Sequence, residues 1–86
     1  MQPVEALEAV KGYAGANRIY IGDHARERME ERGATERDIR EALMTASACG
    51  LQTNGRWKVT GGRDLDGTEL ELVVVIEDGL VVMTLF

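Results

Sequence analysis

Glu69-Leu70-Glu71-Leu72-Val73-Val74-Val75-Ile76-Glu77-Asp78-Gly79-Leu80-Val81-Val82-Met83-Thr84-Leu85-Phe86 reads as two β-strands joined by one tight turn. Leu70, Leu72, Val74 and Ile76 recur at every second residue, the spacing that places side chains on one face of a strand. Val73 and Val75 make the opposite face partly apolar as well, as expected of a central strand. Asp78-Gly79 is a hairpin dipeptide, and Asn54-Gly55 and Asp66-Gly67 repeat the signal upstream. The three turns predict an antiparallel meander with strands near residues 51–53, 56–64, 68–77 and 80–86. Trp57 and Val59 alternate with Arg56, Lys58 and Thr60, so one side of that strand is apolar and the other polar. Gly61-Gly62 lacks a Walker pattern and a following helix, so it reads as a bulge rather than a phosphate loop.

Upstream of Gly50 the apolar period is 3.6 rather than 2. Pro3 suits the first turn of a helix, Val4, Ala6, Leu7 and Val10 give its apolar stripe, and Gly12 and Gly15 stop it. Arg18-Ile19-Tyr20-Ile21 is a short strand bounded by Gly22. Asp23 then reads as the N-cap of a helix that Gly33 ends. Thr35 and Asp38 have the spacing of a capping box, and Ile39, Ala42, Leu43 and Ala46 follow at core spacing up to Gly50. The expected fold is therefore α+β. A short N-terminal helix and strand and two further helices precede a three- to four-stranded antiparallel meander, with the helices on one sheet face. The helix over 35–46 is expected against Leu70, Leu72, Val74 and Ile76.

The chain has 86 residues, enough for one domain spanning 1–86, and its 44% hydrophobic content is ample for a core. No apolar run approaches the ~20 residues needed to span a bilayer, and Met1-Gln2-Pro3-Val4-Glu5 does not read as a secretion signal. A single cysteine, Cys49, excludes an internal disulfide and fits a reducing cytoplasm. One His and one Cys exclude a structural zinc site. Cys49 also lacks the partners of a cysteine nucleophile. The net charge of −5 argues against strong nonspecific nucleic-acid binding. The distribution is uneven, however: residues 18–40 hold six arginines, whereas residues 64–78 hold six acids and no base. A local basic ridge on an acidic protein is compatible with that pattern.

The only histidine lies in that arginine-rich stretch. His24, Arg28 and Arg32 stand at i, i+4 and i+8, which aligns them along one helix face. Imidazole changes charge near neutral pH, and planar guanidinium groups grip phosphates bidentately. That is the equipment of phosphodiester cleavage: a proton acceptor or donor, and cations for the charge on phosphorus. The ordinary alternative is a solvated helix on which these side chains pair with Glu27, Glu30 and Glu31, each pair worth only ~0–1 kcal/mol. Arg32 falls at the edge of the apolar face marked by Ala25 and Met29, so it is expected to be more covered than Arg28. Lys58 projects opposite Trp57 and, with Arg56 and Arg63, would form a basic strip along the sheet. Trp57 has two readings, a stacking surface for a base or a core residue, and its register with Val59 favours the core.

His24-Ala25-x-x-Arg28-Met29-x-x-Arg32-Gly33, the helix started by Thr35, Trp57-Lys58-Val59 and the final Val81-Val82-Met83-Thr84-Leu85-Phe86 resemble an uncharacterised bacterial domain family. That family is related to the RelE/MqsR-like ribonuclease toxins and to the wider barnase–EndoU–colicin–RelE class. The resemblance runs over roughly residues 18–86, and the helix ahead of it is similar to the MqsR layout. It implies a metal-independent endoribonuclease without cofactors, often the toxin of a toxin–antitoxin pair, with RNA on the open sheet face. Cleavage would leave a 2′,3′-cyclic phosphate. His24, Arg28 and Arg32 match the family's signature and Lys58 matches by position, and these four would be catalytic; from the strand register above, Arg56, Arg63 and Trp57 would contact substrate. The expected partners are RNA, including ribosome-bound mRNA, and a cognate antitoxin, with no membrane. The sequence leaves homo-oligomerisation open. The alternative is a noncatalytic protein-binding module of the same fold. A DNA-binding regulator fits less well, because neither short helix presents a base-reading face.

Overall fold

Pro3 opens helix α1, Pro3–Gly15, and the Glu5 carboxylate accepts the Gln2 N–H at 2.8 Å across its first turn. This computed structural model describes residues 1–86. Strand β1, Ile19–Ile21, follows, then α2, Asp23–Arg32, and α3, Glu36–Thr45. Gly22 rather than Asp23 caps α2, leaving the Asp23 carboxylate in the first turn where the helix dipole favours it. Gly33 ends α2 in the left-handed conformation at φ 69°. Thr35 and Asp38 form the expected capping box, and Asp38 also accepts the Leu65 N–H at 3.1 Å, tying the helix start to the 64–67 turn.

The strands β2, Ala48–Leu51, β3, Trp57–Thr60, β4, Leu72–Glu77, and β5, Gly79–Leu85, form the antiparallel meander. β1 adds to its far side, parallel to β5, to give a five-stranded mixed sheet in the order β1-β5-β4-β3-β2. Three local readings need correction. The third helix ends at Thr45 instead of Gly50, because the chain turns out at Ala46 to provide strand β2, which sets Cys49 opposite Val59. β3 stops at Thr60 rather than continuing to residue 64, because Gly61 takes φ 80° and breaks the extended run. The last two strands are shorter at their outer ends than the alternation indicates, and β4 starts only at Leu72.

The helices pack to one side of the sheet, α1 over its face, α3 along α1 and α2 beside β5. Leu72, Val74, Leu80, Val82 and Leu85 are fully buried there with Val59, alongside Ala6, Val10 and Ala14 of α1 and Ile39, Ala42 and Leu43 of α3. α1, not α3, runs closest over β2, β4 and β5, and α3 lies along α1. The reason is visible at the α3 end: Gly62 brings its backbone against the Ala42 carbonyl, so α3 is held at the sheet margin. Arg40 of α3 donates to the Ala14 carbonyl at 2.9 Å and to the Gly15 carbonyl at 3.0 Å, closing the C-terminus of α1. Arg18 reaches across to the β4–β5 turn, with Asp78 Oδ1 at 3.0 Å. No helix is long and apolar enough to cross a membrane.

Candidate functional site

No helix covers the second sheet face. The register puts Tyr20 of β1, Val81 of β5, Val75 and Val73 of β4, Lys58 of β3 and Gly50 of β2 on it, with a bulge in β5 at Met83. Val73 is nearly buried by its neighbours, Val75 and Val81 are half-buried, and Tyr20 is exposed. This is an open apolar sheet face with a charged end.

The charged end forms where β1 stops. β1 pairs with β5 only from Leu80 to Val82, which leaves the last part of β5 without a strand neighbour on that side. α2 takes the vacant place, burying Ala25 and Met29. Between them Arg28 donates Nε to the Leu85 carbonyl at 3.1 Å, satisfying a backbone acceptor that the sheet leaves unpaired. Its guanidinium then lies 5.9 Å from the Phe86 ring centroid, and the Lys58 ammonium lies 5.7 Å from the same ring. Both cations have carboxylate partners, Arg28 with Glu31 at 3.8 Å and Lys58 with Glu71 at 3.5 Å. One exposed aromatic ring is thus flanked by two cations from different elements, a geometry of mutual attraction between ring face and charge.

The remaining predicted residues are placed less uniformly. His24 is one turn before Arg28 on α2, exposed, with Nδ1 3.9 Å from Glu27 Oε2. Arg32, one turn beyond Arg28, is exposed and makes no hydrogen bond or ion pair, the reverse of the expected ranking. The cause is the Leu85 carbonyl, which fixes Arg28 and has no counterpart beside Arg32. Trp57 is buried at 6% exposure on the helix-covered face, so its ring is core and not a platform for a base. Arg63 leaves the expected strip because the chain has turned at Gly61; it donates to the Gly67 carbonyl at 2.9 Å, inside its own hairpin. Arg56 lies just before β3, half-buried beside the Asn54-Gly55 turn. His24, Arg28 and Lys58 line none of the cavities of the fold, so the arrangement is a surface platform rather than a pocket. No group of three His, Cys, Asp or Glu side chains converges.

Phe86 is the residue that sequence reasoning missed as part of the site. Its signal was only its place at the end of an apolar run, and its role depends on where Arg28 and Lys58 come to rest.

The architecture defines the class: an α+β domain whose mixed five-stranded sheet is covered on one face and bare on the other. Residues 21–86 match the family model described as a domain of unknown function, DUF4258, and the chain belongs to that family. The match takes in β1's last residue and everything after it, including all of the platform. No curated protein and no solved structure gives a significant match.

Proposed function

We propose that the chain is a metal-independent endoribonuclease of the RelE/MqsR-like class, the toxin of a toxin–antitoxin pair, with RNA on the bare sheet face. The observation that carries this reading is the convergence of Arg28 and Lys58 on Phe86, with His24 one helical turn away. A base stacked on the Phe86 ring would leave its phosphate between the two cations. In the reaction, His24 takes the proton of a ribose 2′-hydroxyl. The 2′-oxygen attacks phosphorus and the bond to the 5′-oxygen breaks. Lys58 returns a proton to that leaving oxygen, giving a 2′,3′-cyclic phosphate and a 5′-hydroxyl. Arg28, held by the Leu85 carbonyl, faces the charge that builds up on the phosphorane, and Arg32 extends the row toward the next phosphate.

The test is purified protein with free and ribosome-bound RNA in excess chelator, with end-group analysis of the fragments. Cleavage should persist in chelator, and His24→Ala should lower it roughly 10²–10⁴-fold. Arg28→Lys should also reduce it, because a point charge cannot replace the planar fork. Cleavage that vanishes with chelator, or full activity in His24→Ala, would refute the mechanism. A second reading, a noncatalytic module that binds a protein partner, is favoured by the apolar character of Val73, Val75, Val81 and Tyr20 on the bare face and by the net charge of −5. No cleavage of either RNA substrate would decide for it.

A further inference from the structure

The edge of the sheet at β2 is unguarded. Edge strands of soluble proteins are ordinarily protected by a charge, a proline or a bulge that turns the free edge away. β2 is Ala48-Cys49-Gly50-Leu51, and no charged side chain or proline occurs from Thr45 to Gly55. The other edge, β1, has only three residues and is flanked by Arg18.

The pairing pattern shows which backbone groups are free. Gln52 donates to the Arg56 carbonyl at 2.8 Å, so this pair, and every second pair back along the ladder, is the hydrogen-bonded kind. Gly50 and Ala48 therefore direct their backbone groups toward β3, and Cys49 and Leu51 direct theirs outward. Leu51 is 61% exposed, as are Val4 at 64% and Met1 at 67% close to the start of α1. Beside the strand is a cavity of about 210 Å³ lined by Pro3, Val4, Leu7, Ser47, Ala48 and Cys49, all uncharged.

We infer that two copies of this chain pair through β2, antiparallel about a twofold axis at Gly50. This pairing is self-complementary. Cys49 faces Leu51 of the second copy, and the outward N–H and C=O groups of the two residues match as a hydrogen-bonded pair. Leu51 of each copy then stands over the other's cavity, of which Cys49 is a wall. The two Gly50 residues meet at the axis with no side chains to collide. The contact is isologous, so each copy buries the same patch. It is also free of charge, so two proteins of net charge −5 meet without like charges in contact. The strip is small. Four residues extend about 13 Å, which places the interface below the ~1,600 Å² of a standard stable complex. The dimer is accordingly weak and concentration-dependent, and added salt strengthens it by screening the long-range repulsion. It joins the two bare sheet faces into one continuous surface of ten strands. The inference stands independently of the ribonuclease reading.

Sedimentation equilibrium over a range of concentrations, at low and high salt, measures the association directly. Disulfide trapping tests the register in a Cys49→Ser background. Gly50→Cys puts the new sulfurs across the axis, where non-hydrogen-bonded partners have Cα atoms about 4.5 Å apart, within disulfide range. A Cβ at Gly50 meets nothing within 4 Å, so the added side chain has room in the folded monomer. Thr53→Cys lies three residues from the axis, which separates its two copies by about 20 Å. Gly50→Cys should cross-link readily, Thr53→Cys should not, and Leu51→Lys should abolish the dimer seen by sedimentation. Equal cross-linking of the two cysteine variants would overturn the register. A protein that stays monomeric at every concentration and salt would overturn the self-pairing and leave this edge to an extended strand of another protein.

Discussion

Replacing Gly62 with Ala tests the glycine at which neighbouring backbone leaves least room for a side chain. A Cβ at this position would lie far inside van der Waals contact with the Ala42 carbonyl oxygen, and 2.8 Å from the carbonyl carbon and 3.1 Å from Cα. None of these atoms belongs to a flexible side chain, so relief requires α3 to move away from the sheet margin. That movement would disturb the fully buried Ile39, Ala42 and Leu43 and the Leu70 N–H to Gly62 carbonyl bond of 2.9 Å. Overpacking typically costs 1–3 kcal/mol, and with only backbone to yield the expected loss is about 3 kcal/mol or more. For a domain of this size that lowers Tm by roughly 12–24 °C, a large share of a total stability of roughly 4–13 kcal/mol. Gly12→Ala is the matched control: its Cβ meets nothing within 4 Å in the last turns of α1. It should stabilise the protein by about 0.5–1 kcal/mol through helix propensity. Thermal and urea unfolding followed by circular dichroism would measure both. A Gly62→Ala protein within ~0.5 kcal/mol of the parent, the usual range for neutral substitutions, would refute the backbone contact.

Three further outcomes are expected. Backbone hydrogen bonds from Thr35 and Leu65 hold the Asp38 carboxyl below the ordinary carboxylate range. Its stabilising effect is therefore present above the ordinary value and lost as pH falls through the lowered one; the urea midpoints of parent and Asp38→Asn should differ at pH 6 and converge in strong acid. Leu72→Asp places an unpaired charge in the fully buried core; a soluble, cooperatively unfolding variant would disprove the face assignment. Arg40→Ala removes two hydrogen bonds from the α1 carbonyls and should cost about 1–3 kcal/mol in urea unfolding, with no loss if solvent replaces them.

The meander was legible because three Asp-Gly or Asn-Gly pairs and a period of two are local signals, and Leu72 and Val74 occupy the face they dictate. The parallel pairing of β1 with β5 was not, because Ile19 and Leu80 share no local pattern that announces them as partners. The same holds for the end of α3. Ala46 continues the helical spacing of Ile39, Ala42 and Leu43 toward Gly50, and only the need of Val59 for a neighbour draws Cys49 into a strand. In the candidate site, the helical row of His24, Arg28 and Arg32 was readable, but its ranking was not. The Leu85 carbonyl, left open by the shortness of β1, decides that Arg28 is the anchored arginine. Lys58 was placed on the polar face by alternation, whereas Arg63 was lost from it when Gly61 turned the chain.

The parallel strand also dictates an order of assembly. β4 and β5 meet through a turn at Asp78, a contact that forms with almost no chain to gather. β1 must find β5 from the other end of the sequence, Ile19 pairing with Leu80. Closing a loop of about 60 residues costs roughly 1.4 kcal/mol more than closing one of about 12, the scale of the β3–β4 connection. On that entropy alone the hairpins are expected to form first and β1 to dock last, on a sheet already made. In reverse, β1 is the first strand to leave, held mainly by three residue pairs and the Arg18–Asp78 clamp. Its departure bares the β5 edge while the four-stranded meander survives, so the protein's most exposed moment belongs to a partly open state rather than to the unfolded chain.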